Sequence, residues 1–168
     1  MGVYDIRAVR DGLLRCSKCG EDLPELNFHI SRAEKNTAKR AYNCNACVSK
    51  AQRKRNMTEV GYKANLWQNL RSNAARRNIP VHIEKSDIQR LYDTQRGLCS
   101  VTGLPMQFSA VEKGKNSYAV SVDRIDNTRG YSLDNIRLVC ARVNLMKMEL
   151  SDEQMQFWCR VILEGAAQ

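Results

Sequence analysis

The sequence predicts an α+β protein with a small ββα core, flanking helices and an N-terminal module that is rich in cysteine. Two short strand patterns, separated by a turn-rich loop and followed by a helical pattern, indicate the ββα core. Two pairs of cysteines, each with two intervening residues, indicate the N-terminal module. Apolar residues that recur at the helical period on both sides of the core indicate the flanking helices.

The core begins with AVSVDRID, in which apolar and polar residues alternate at the strand period. NTRGYSLDN has no periodicity and contains turn residues, so we expect a loop there. IRLVC is a second short strand, and ARVNLMKMEL begins a helix. Ser151 and Gln154 cap a final helix, whose predicted core stripe contains Met155, Trp158 and Ile162.

Two helices are predicted before the core. The first extends roughly from residue 58 to residue 77, because apolar side chains recur there at the helical period. Ser86 begins the second helix, with Gln89 in a capping-box arrangement, and Gly97 ends it. PVHIEK between them is an extended piece, and CSVTGLPMQF predicts a turn and a strand. The apolar positions of the first helix are Leu66, Trp67, Leu70 and Ala74.

Four of the seven cysteines form the motifs CSKC and CNAC. A CxxC turn directs two thiolates at one tetrahedral ion, and a second turn completes the set of four ligands. The pattern therefore predicts one zinc site, whose ligands are Cys16, Cys19, Cys44 and Cys47. The remaining cysteines are expected to be small buried residues, and these are Cys99, Cys140 and Cys159.

Positive charge is concentrated in the first half of the chain. Residues 1–80 contain 16 Lys or Arg against 7 Asp or Glu, whereas residues 81–168 contain 11 of each. Such a dense basic segment favours nucleic acid over a merely solvated face. The predicted DNA-binding residues are Lys50, Arg53, Lys54, Arg55, Arg71, Arg76 and Arg77.

The sequence does not predict a membrane protein. No apolar run approaches the ~20 residues needed to span a bilayer. The N-terminal stretch lacks the apolar core of a secretory signal. We therefore expect a cytoplasmic protein with no membrane partner, in a bacterial cell or a phage-infected host.

Three aspartates lie close together in SVDRIDNTRGYSLDN. Asp123 follows the apolar alternation, where a buried carboxylate needs a partner. A divalent cation is one candidate partner, and an ion pair with Arg124 or Arg137 is the alternative. Asp126 and Asp134 are interpreted as turn and cap residues.

The stretch from Val122 to Lys147, VDRIDNTRGYSLDNIRLVCARVNLMK, resembles the HNH endonucleases, also called ββα-metal or His-Me finger nucleases. Similar strings are common in phage-encoded and homing-type members. Together with the two CxxC motifs and the QNLRSNA helix, the chain looks most like the zinc-containing PacI-type restriction endonucleases. This resemblance implies a four-cysteine zinc module with a basic segment in residues 1–57, a helical linker region in 58–97 and a ββα-metal nuclease core with a C-terminal helix in 98–168.

The resemblance also implies roles for individual residues. Asp123 corresponds to the carboxylate metal ligand, and Asn144 corresponds to the ligand on the helix. Asn135 corresponds to the family's middle Asn, which holds the loop by backbone hydrogen bonds. A carboxylate and an amide oxygen suit Mg²⁺ or Mn²⁺, which can assist hydrolysis of a phosphodiester.

The sequence departs from the family in its general base. Arg124 replaces the usual His after the Asp and cannot accept a proton at neutral pH, although PacI-type enzymes also carry Arg there. His82 is a candidate general base. The alternative, that His82 is an ordinary surface histidine, has equal weight. Arg124 is a candidate phosphate contact.

A second departure concerns zinc. PacI-type enzymes hold another zinc with CxxC pairs around the ββα unit, whereas the corresponding segments here are CSVT and CARV. Two of the four ligand positions are occupied by Thr102 and Val143. We therefore expect one structural zinc, with apolar packing in place of the other.

The sequence thus predicts an HNH-type endodeoxyribonuclease that acts on double-stranded DNA, as a restriction, homing or phage-processing enzyme. A homodimer is expected because cutting both strands with one site per chain usually needs two copies. Two alternatives remain: a catalytically impaired, zinc-containing DNA-binding or regulatory protein, and a junction-resolving nuclease.

Overall fold

The computed structural model describes residues 8–9, 12–31, 39–40, 42–111 and 114–166. The chain divides into two compact units, Met1–Arg55 and Asn56–Gln168. The helices that the sequence predicts for the linker region belong to the second unit. None of the described helices combines the length and apolar character needed to cross a bilayer.

In the first unit, the described residues form short strands, a 3-10 turn and one α-helix. Its three-stranded antiparallel sheet has the order β1-β2-β3, formed by Ala8–Val9, Leu13–Arg15 and Asp22–Pro24. A second antiparallel pair is formed by β4, Ile30–Ser31, and β5, Lys39–Arg40. A 3-10 turn covers Glu25–Asn27, and α1 covers Asn45–Asn56.

The apolar core formed by the described residues of the first unit is very small. Its buried residues are Cys16, Phe28 and Cys44, with Leu14, Leu23 and Cys47 packed against them. A core of this size cannot offset the conformational entropy of the chain, and such modules usually need a metal or a disulfide. The burial of two cysteines at its centre is therefore the central structural feature of this unit.

The second unit contains the ββα motif. Strands β6 and β7 pair in antiparallel fashion, from Val120↔Cys140 to Arg124↔Ile136, and α4 begins at the next residue. The two predicted strands and the following helix are confirmed, and so is the α+β class. The elements of this unit are α2 (Glu59–Arg76), α3 (Lys85–Thr94), β6 (Val120–Arg124), β7 (Ile136–Cys140), α4 (Ala141–Lys147) and α5 (Asp152–Gly165).

The strands of the ββα motif are enclosed by the core of the second unit. Val120, Leu138 and Val139 are fully buried. Leu70 of α2 and Ile88 of α3 belong to the same cluster, against which Leu66 and Trp67 pack. Because both strands are buried along almost their whole length, any charged residue in them must find a partner within the protein.

Of the two helix caps that the sequence predicts, one is confirmed and one is wrong. The Thr58 hydroxyl accepts the Gly61 N–H at 3.2 Å and begins α2. Ser151 accepts the Gln154 N–H at 3.2 Å, which confirms the predicted capping box of α5. The prediction of Ser86 as the first cap of α3 is wrong. Glu84 holds that position, and its N–H donates to the Asp87 carboxylate at 2.7 Å.

Two other predictions are wrong. CSVTGLPMQF forms no regular strand and makes only isolated bridges, one of them at Pro105, whose missing N–H prevents a continuous ladder. The predicted core stripe of α5 is buried only at Met155, whereas Trp158 and Ile162 are 54% and 66% exposed. Helical periodicity identifies an apolar face but does not identify what covers that face.

Candidate metal and nucleic-acid site

Asp123 lies near the end of β6, directly opposite Arg137 on β7. Its side chain is only 3% exposed. The Arg137 Nε donates to Asp123 Oδ2 at 2.9 Å. The antiparallel register produces this pair, because facing residues on one side of a sheet bring their side chains into contact. Arg137 is one of the two ion-pair partners that the sequence suggested.

A second cation holds the other oxygen of the same carboxylate. Lys147, the last residue of α4, is fully buried, and its Nζ lies 3.1 Å from Asp123 Oδ1. The same Nζ donates to the Arg124 carbonyl at 2.7 Å. Lys147 therefore links the end of the helix to the end of β6.

Arg137 is itself held by a further carboxylate. Its two terminal nitrogens donate to Asp152 at 2.6 and 2.5 Å, at the first residue of α5. The hydrogen bonds that Arg137 donates to Asp152 lower the pKa of Asp152 and raise the pKa of Arg137. Asp123, Lys147, Arg137 and Asp152 thus form one charge-balanced network, which we call the buried ion-pair network.

Asn144 is positioned on α4 next to the same strand. Its Nδ2 donates to the Ser121 hydroxyl at 2.7 Å and to the Val122 carbonyl at 3.3 Å. Among the described residues, none donates a hydrogen bond to the Asn144 Oδ1. The side-chain oxygen is therefore available as an acceptor or ligand.

Asp123 and Asn144 line one cavity of about 530 Å³. A carboxylate oxygen has about two acceptor sites, so the bonds to Arg137 and Lys147 leave room for a further ligand bond at each oxygen. A carboxylate and an amide oxygen fit Mg²⁺ or Mn²⁺. The complete lining is Arg77, Val122, Asp123, Arg124, Asn127, Tyr131, Ala141, Asn144, Leu145, Met148 and Glu149.

Two residues organise the loop between β6 and β7. The buried Asn135 donates to the carbonyls of Asp126 and Gly130 at 3.0 and 2.9 Å, and its oxygen accepts the Asp126 N–H at 2.9 Å. Arg124 Nη1 donates to the carbonyls of Asn127 and Arg129 at 2.9 and 2.5 Å. Arg124 is buried and engaged with the loop, although it also lines the cavity.

The loop is held against the segment that contains His82. The Tyr131 N–H donates to the Pro80 carbonyl at 2.9 Å, and the His82 N–H donates to the Tyr131 carbonyl at 2.8 Å. A Cβ on Gly130 would lie 2.7 Å from the Pro80 oxygen, so only glycine permits this approach. The His82 side chain is exposed and is not among the residues that line the cavity.

The four cysteines of the two CxxC motifs converge. The sulfurs of Cys16, Cys19, Cys44 and Cys47 all lie within 4.8 Å of one another. Backbone hydrogen bonds, first that of Cys44, lower the pKa of Cys16 to about 6, whereas burial raises that of Cys47 to about 12. Four thiols at this separation form a metal-binding cluster whose ligand set suits zinc.

Cys99 and Cys140 are buried together, as expected from the sequence, whereas Cys159 is only partly buried. The Cys140 N–H donates to the Cys99 sulfur at 3.3 Å. Burial raises the pKa of Cys140 to about 11, and hydrogen bonds lower that of Cys99. In place of the missing thiols, Thr102 is exposed and Val143 packs against the core.

All seven predicted DNA-binding residues are exposed. Lys50, Arg53, Lys54 and Arg55 lie on α1, in the first unit. Arg71 and Arg76 lie on α2 in the second unit, and Arg71 lines a groove of about 590 Å³ together with Trp67 and Lys85. Arg77 differs from the others because it lines the cavity that contains Asp123.

Sequence reasoning missed three residues of the site. Lys147 and Asp152 belong to the buried ion-pair network, and Glu149 lines the cavity. A buried lysine at the end of a short helix cannot be recognised from the sequence, because an exposed lysine at a helix end gives the same pattern. The available clue was Asp123 itself, because a buried carboxylate implies nearby cations.

Comparisons with solved structures show a similarity to a restriction endonuclease. The chain is similar to the rare-cutting HNH restriction endonuclease PacI, with 21% sequence identity, a TM-score of 0.44 and coverage of 90% of this chain and 94% of that chain. No protein-family profile matches, and no curated protein is detectably similar in sequence. The function proposed below therefore rests on the side chains of the site itself.

Proposed function

We propose that this protein is a metal-dependent endonuclease of the HNH type that hydrolyses phosphodiester bonds in double-stranded DNA. One observation carries the proposal: oxygen donors of Asp123 and Asn144 line a single cavity within a ββα unit. Arg77 lines the same cavity and supplies positive charge for a phosphate. A site with hard oxygen donors beside a phosphate-binding cation suits metal-assisted phosphodiester hydrolysis.

Asp123 and Asn144 would hold the Mg²⁺ or Mn²⁺ ion. When bound, such an ion stabilises the charge that develops on the phosphate and on the leaving oxygen. Lys147 and Arg137 fix the Asp123 carboxylate in one orientation, and Asn135 fixes the loop beside it. This rigidity serves catalysis, because a ligand held by packing and hydrogen bonds needs no reorganisation during the reaction.

A proton acceptor for the attacking water must lie in or near the cavity. Among the described lining residues, Glu149 is a carboxylate that no described lysine or arginine pairs with. An imidazole is in general a better proton acceptor near neutral pH than a carboxylate. The His82 side chain, however, would have to turn towards the cavity from the exposed segment beside Tyr131. Separate Glu149→Gln and His82→Ala variants distinguish these two candidates by which one loses cleavage.

The remaining features support DNA as the substrate. The exposed basic residues on α1 and α2 can bind the phosphate backbone, so affinity should fall steeply with salt concentration. The four-cysteine cluster binds one zinc ion that holds the first unit together. The same chemistry would serve restriction, homing or phage genome processing.

Digestion of supercoiled plasmid tests the proposal. The wild-type protein should cleave with Mg²⁺ or Mn²⁺ and should be inactive in EDTA. Asp123→Asn should abolish cleavage and retain duplex binding, although loss of the ion pairs with Arg137 and Lys147 should lower its stability, so a circular-dichroism melt must show that it is folded at the assay temperature. Asp134→Asn is the matched control, since Asp134 is an exposed loop carboxylate, and it should retain activity. Absence of metal-dependent cleavage by the wild-type protein on linear, supercoiled and branched DNA would contradict the proposal.

A second candidate function is DNA binding without cleavage. It is favoured by the ion pairs that occupy both oxygens of Asp123 and by the lack of histidine among the described cavity-lining residues. In this case Lys147 and Arg137 neutralise the carboxylate permanently. The plasmid assay would then give salt-sensitive binding with no product under any divalent metal.

A further inference from the structure

Helix α1 contributes little to the core of the first unit and carries only positive charge. None of its residues is buried, and only Cys47 of this helix packs against the described core. Its position is set by the four-cysteine cluster, because it begins directly after Cys44 and carries Cys47 in its first turn. The helix contains no acidic residue and four basic ones, Lys50, Arg53, Lys54 and Arg55. A helix that is fixed at one end and buries no apolar side presents its surface to a partner.

One row of side chains along α1 has the chemistry that reads bases. Asn45, Ser49 and Arg53 follow one another at intervals of four residues, so they lie on one side of the helix. All three are exposed. In the major groove of DNA, an arginine recognises guanine O6 and N7, an asparagine recognises adenine N6 and N7, and a serine bonds to several bases. The row extends over about 12 Å, which corresponds to about three or four base pairs.

The adjacent row of α1 suits phosphates. Lys50 and Lys54 are exposed, and each directly follows a residue of the first row. Cations beside a base-reading row contact the sugar-phosphate backbone and fix the register of the helix. The one carboxylate among the described lining residues of the pocket at the start of α1 is Glu21, which lines it with Asn45. The phosphate backbone should therefore meet α1 towards its end, where the basic residues lie.

The dimensions of the helix select the type of duplex. An α-helix with its side chains is about 10–12 Å across, and the major groove of B-form DNA is about 12 Å wide. The major groove of double-stranded RNA is too narrow for side chains to read. One N–H of the Asn45 amide donates to the Leu26 carbonyl at 3.4 Å, and the amide oxygen and the second N–H are the groups that adenine would require.

We propose that α1 enters the major groove of duplex DNA, where Asn45, Ser49 and Arg53 read base pairs and Lys50 and Lys54 hold the adjacent phosphates. Arg53 recognises a guanine, and Asn45 recognises an adenine about three base pairs away. This inference rests on the proposed function for its substrate, and it makes α1 the element that decides which sequences are bound. It concerns binding alone, so it is tested in buffer without Mg²⁺ or Mn²⁺.

Selection of bound duplexes from a random-sequence pool by the full-length protein tests the inference. The wild-type protein should prefer a motif with a guanine and an adenine about three base pairs apart. Arg53→Ala should lose the preference at the guanine, and Asn45→Ala that at the adenine, by about tenfold or more each. Lys54→Ala is the matched control, because it removes the same charge from the next residue. It should weaken binding to all sequences alike, reduce the salt slope by about one and keep both preferences.

Replacement of the preferred guanine by 7-deazaguanine tests for a contact in the major groove. This base lacks N7 but keeps its pairing, so the wild-type protein and Lys54→Ala should lose about tenfold in affinity. Arg53→Ala should lose nothing further.

Equal binding of the wild-type protein to all sequences would overturn the inference. Loss of the guanine preference in Lys54→Ala would do the same, and so would a wild-type protein that is insensitive to 7-deazaguanine. A protein that shows the predicted preferences but never cleaves would sustain this inference and contradict the proposed nuclease. Metal-dependent cleavage of all sequences alike would sustain the nuclease and overturn the inference.

Discussion

Asp123 and Lys147 form a buried ion pair that joins the end of β6 to the end of α4. The Lys147 Nζ lies 3.1 Å from Asp123 Oδ1, and the two side chains are 1% and 3% exposed. The Lys147 Nζ also donates to the Arg124 carbonyl, which fixes the helix end to the strand backbone. The candidate metal ligand and the packing of the ββα unit therefore depend on the same lysine.

Lys147→Met should destabilise the second unit by about 3–5 kcal/mol, because removal of one partner leaves a buried charge with incomplete compensation. Arg137 would still hold one oxygen of Asp123, so the variant should remain folded. Urea denaturation measures the free energy of unfolding. Lys85→Met is the control, since Lys85 is exposed at the start of α3, and it should change stability by less than about 0.5 kcal/mol. Equal effects of the two substitutions would contradict a structural role for Lys147.

The same Lys147→Met variant should bind Mn²⁺ more tightly than the wild-type protein, by about tenfold. A lysine cation within hydrogen-bonding distance of Asp123 Oδ1 repels a divalent ion at that oxygen and competes for its lone pairs. Electron paramagnetic resonance of free Mn²⁺ measures this affinity without reference to activity. Asp123→Asn should remove the binding in either background. Unchanged Mn²⁺ affinity in Lys147→Met would place the ion away from Asp123.

The sequence was sufficient to predict the elements that carry the site. The alternation of apolar and polar residues around Val122 predicts β6, and the short run IRLVC predicts β7. Successive side chains of a pleated strand point to opposite faces, so a strand leaves a two-residue period in the sequence. The convergence of Cys16, Cys19, Cys44 and Cys47 follows from spacing alone, since each CxxC turn has little conformational freedom.

What the sequence did not predict depends on tertiary contact. Lys147 and Asp152 act through partners 24 and 15 residues away, and their own neighbours contain no sign of this. Trp158 and Ile162 have the spacing of a buried stripe with Met155, but only Met155 is covered by the rest of the protein. Local patterns describe which side of an element is apolar, whereas burial is decided by elements distant in the chain.

Removal of a proposed zinc ligand should unfold the first unit and leave the second unit folded. Cys47→Ser should lower bound zinc from about one ion per chain to none, because three thiolates hold a structural zinc poorly. Mass spectrometry of the metal content gives the stoichiometry, and hydrogen exchange locates the loss of structure in residues 12–31. Cys99→Ser is the matched control and should retain zinc, since Cys99 lies outside the cluster. Loss of protection in β6 and β7 of Cys47→Ser would contradict the independence of the two units.

The buried pair Cys99 and Cys140 repeats the backbone geometry of the four-cysteine cluster. The Cys16 sulfur accepts the Cys44 N–H at 3.3 Å, and the Cys99 sulfur accepts the Cys140 N–H at 3.3 Å. Gly20 donates to the Cys16 carbonyl at 2.9 Å, and Gly103 donates to the Cys99 carbonyl at the same distance. In each case the second cysteine directly precedes a helix. By this correspondence, Thr102 occupies the position of Cys19, and Val143 occupies that of Cys47.

The double substitution Thr102→Cys with Val143→Cys should therefore create a second zinc site. The two turns already present their backbone in the geometry that four thiolates require, so binding needs little reorganisation. Metal content should rise to about two ions per chain, and the thermal midpoint should rise with added zinc because the ion binds only the folded state. Thr102→Ser with Val143→Ser is the control, since hydroxyls are poor zinc ligands, and it should bind one. A double-cysteine variant that binds a single zinc would show that the two turns are not equivalent.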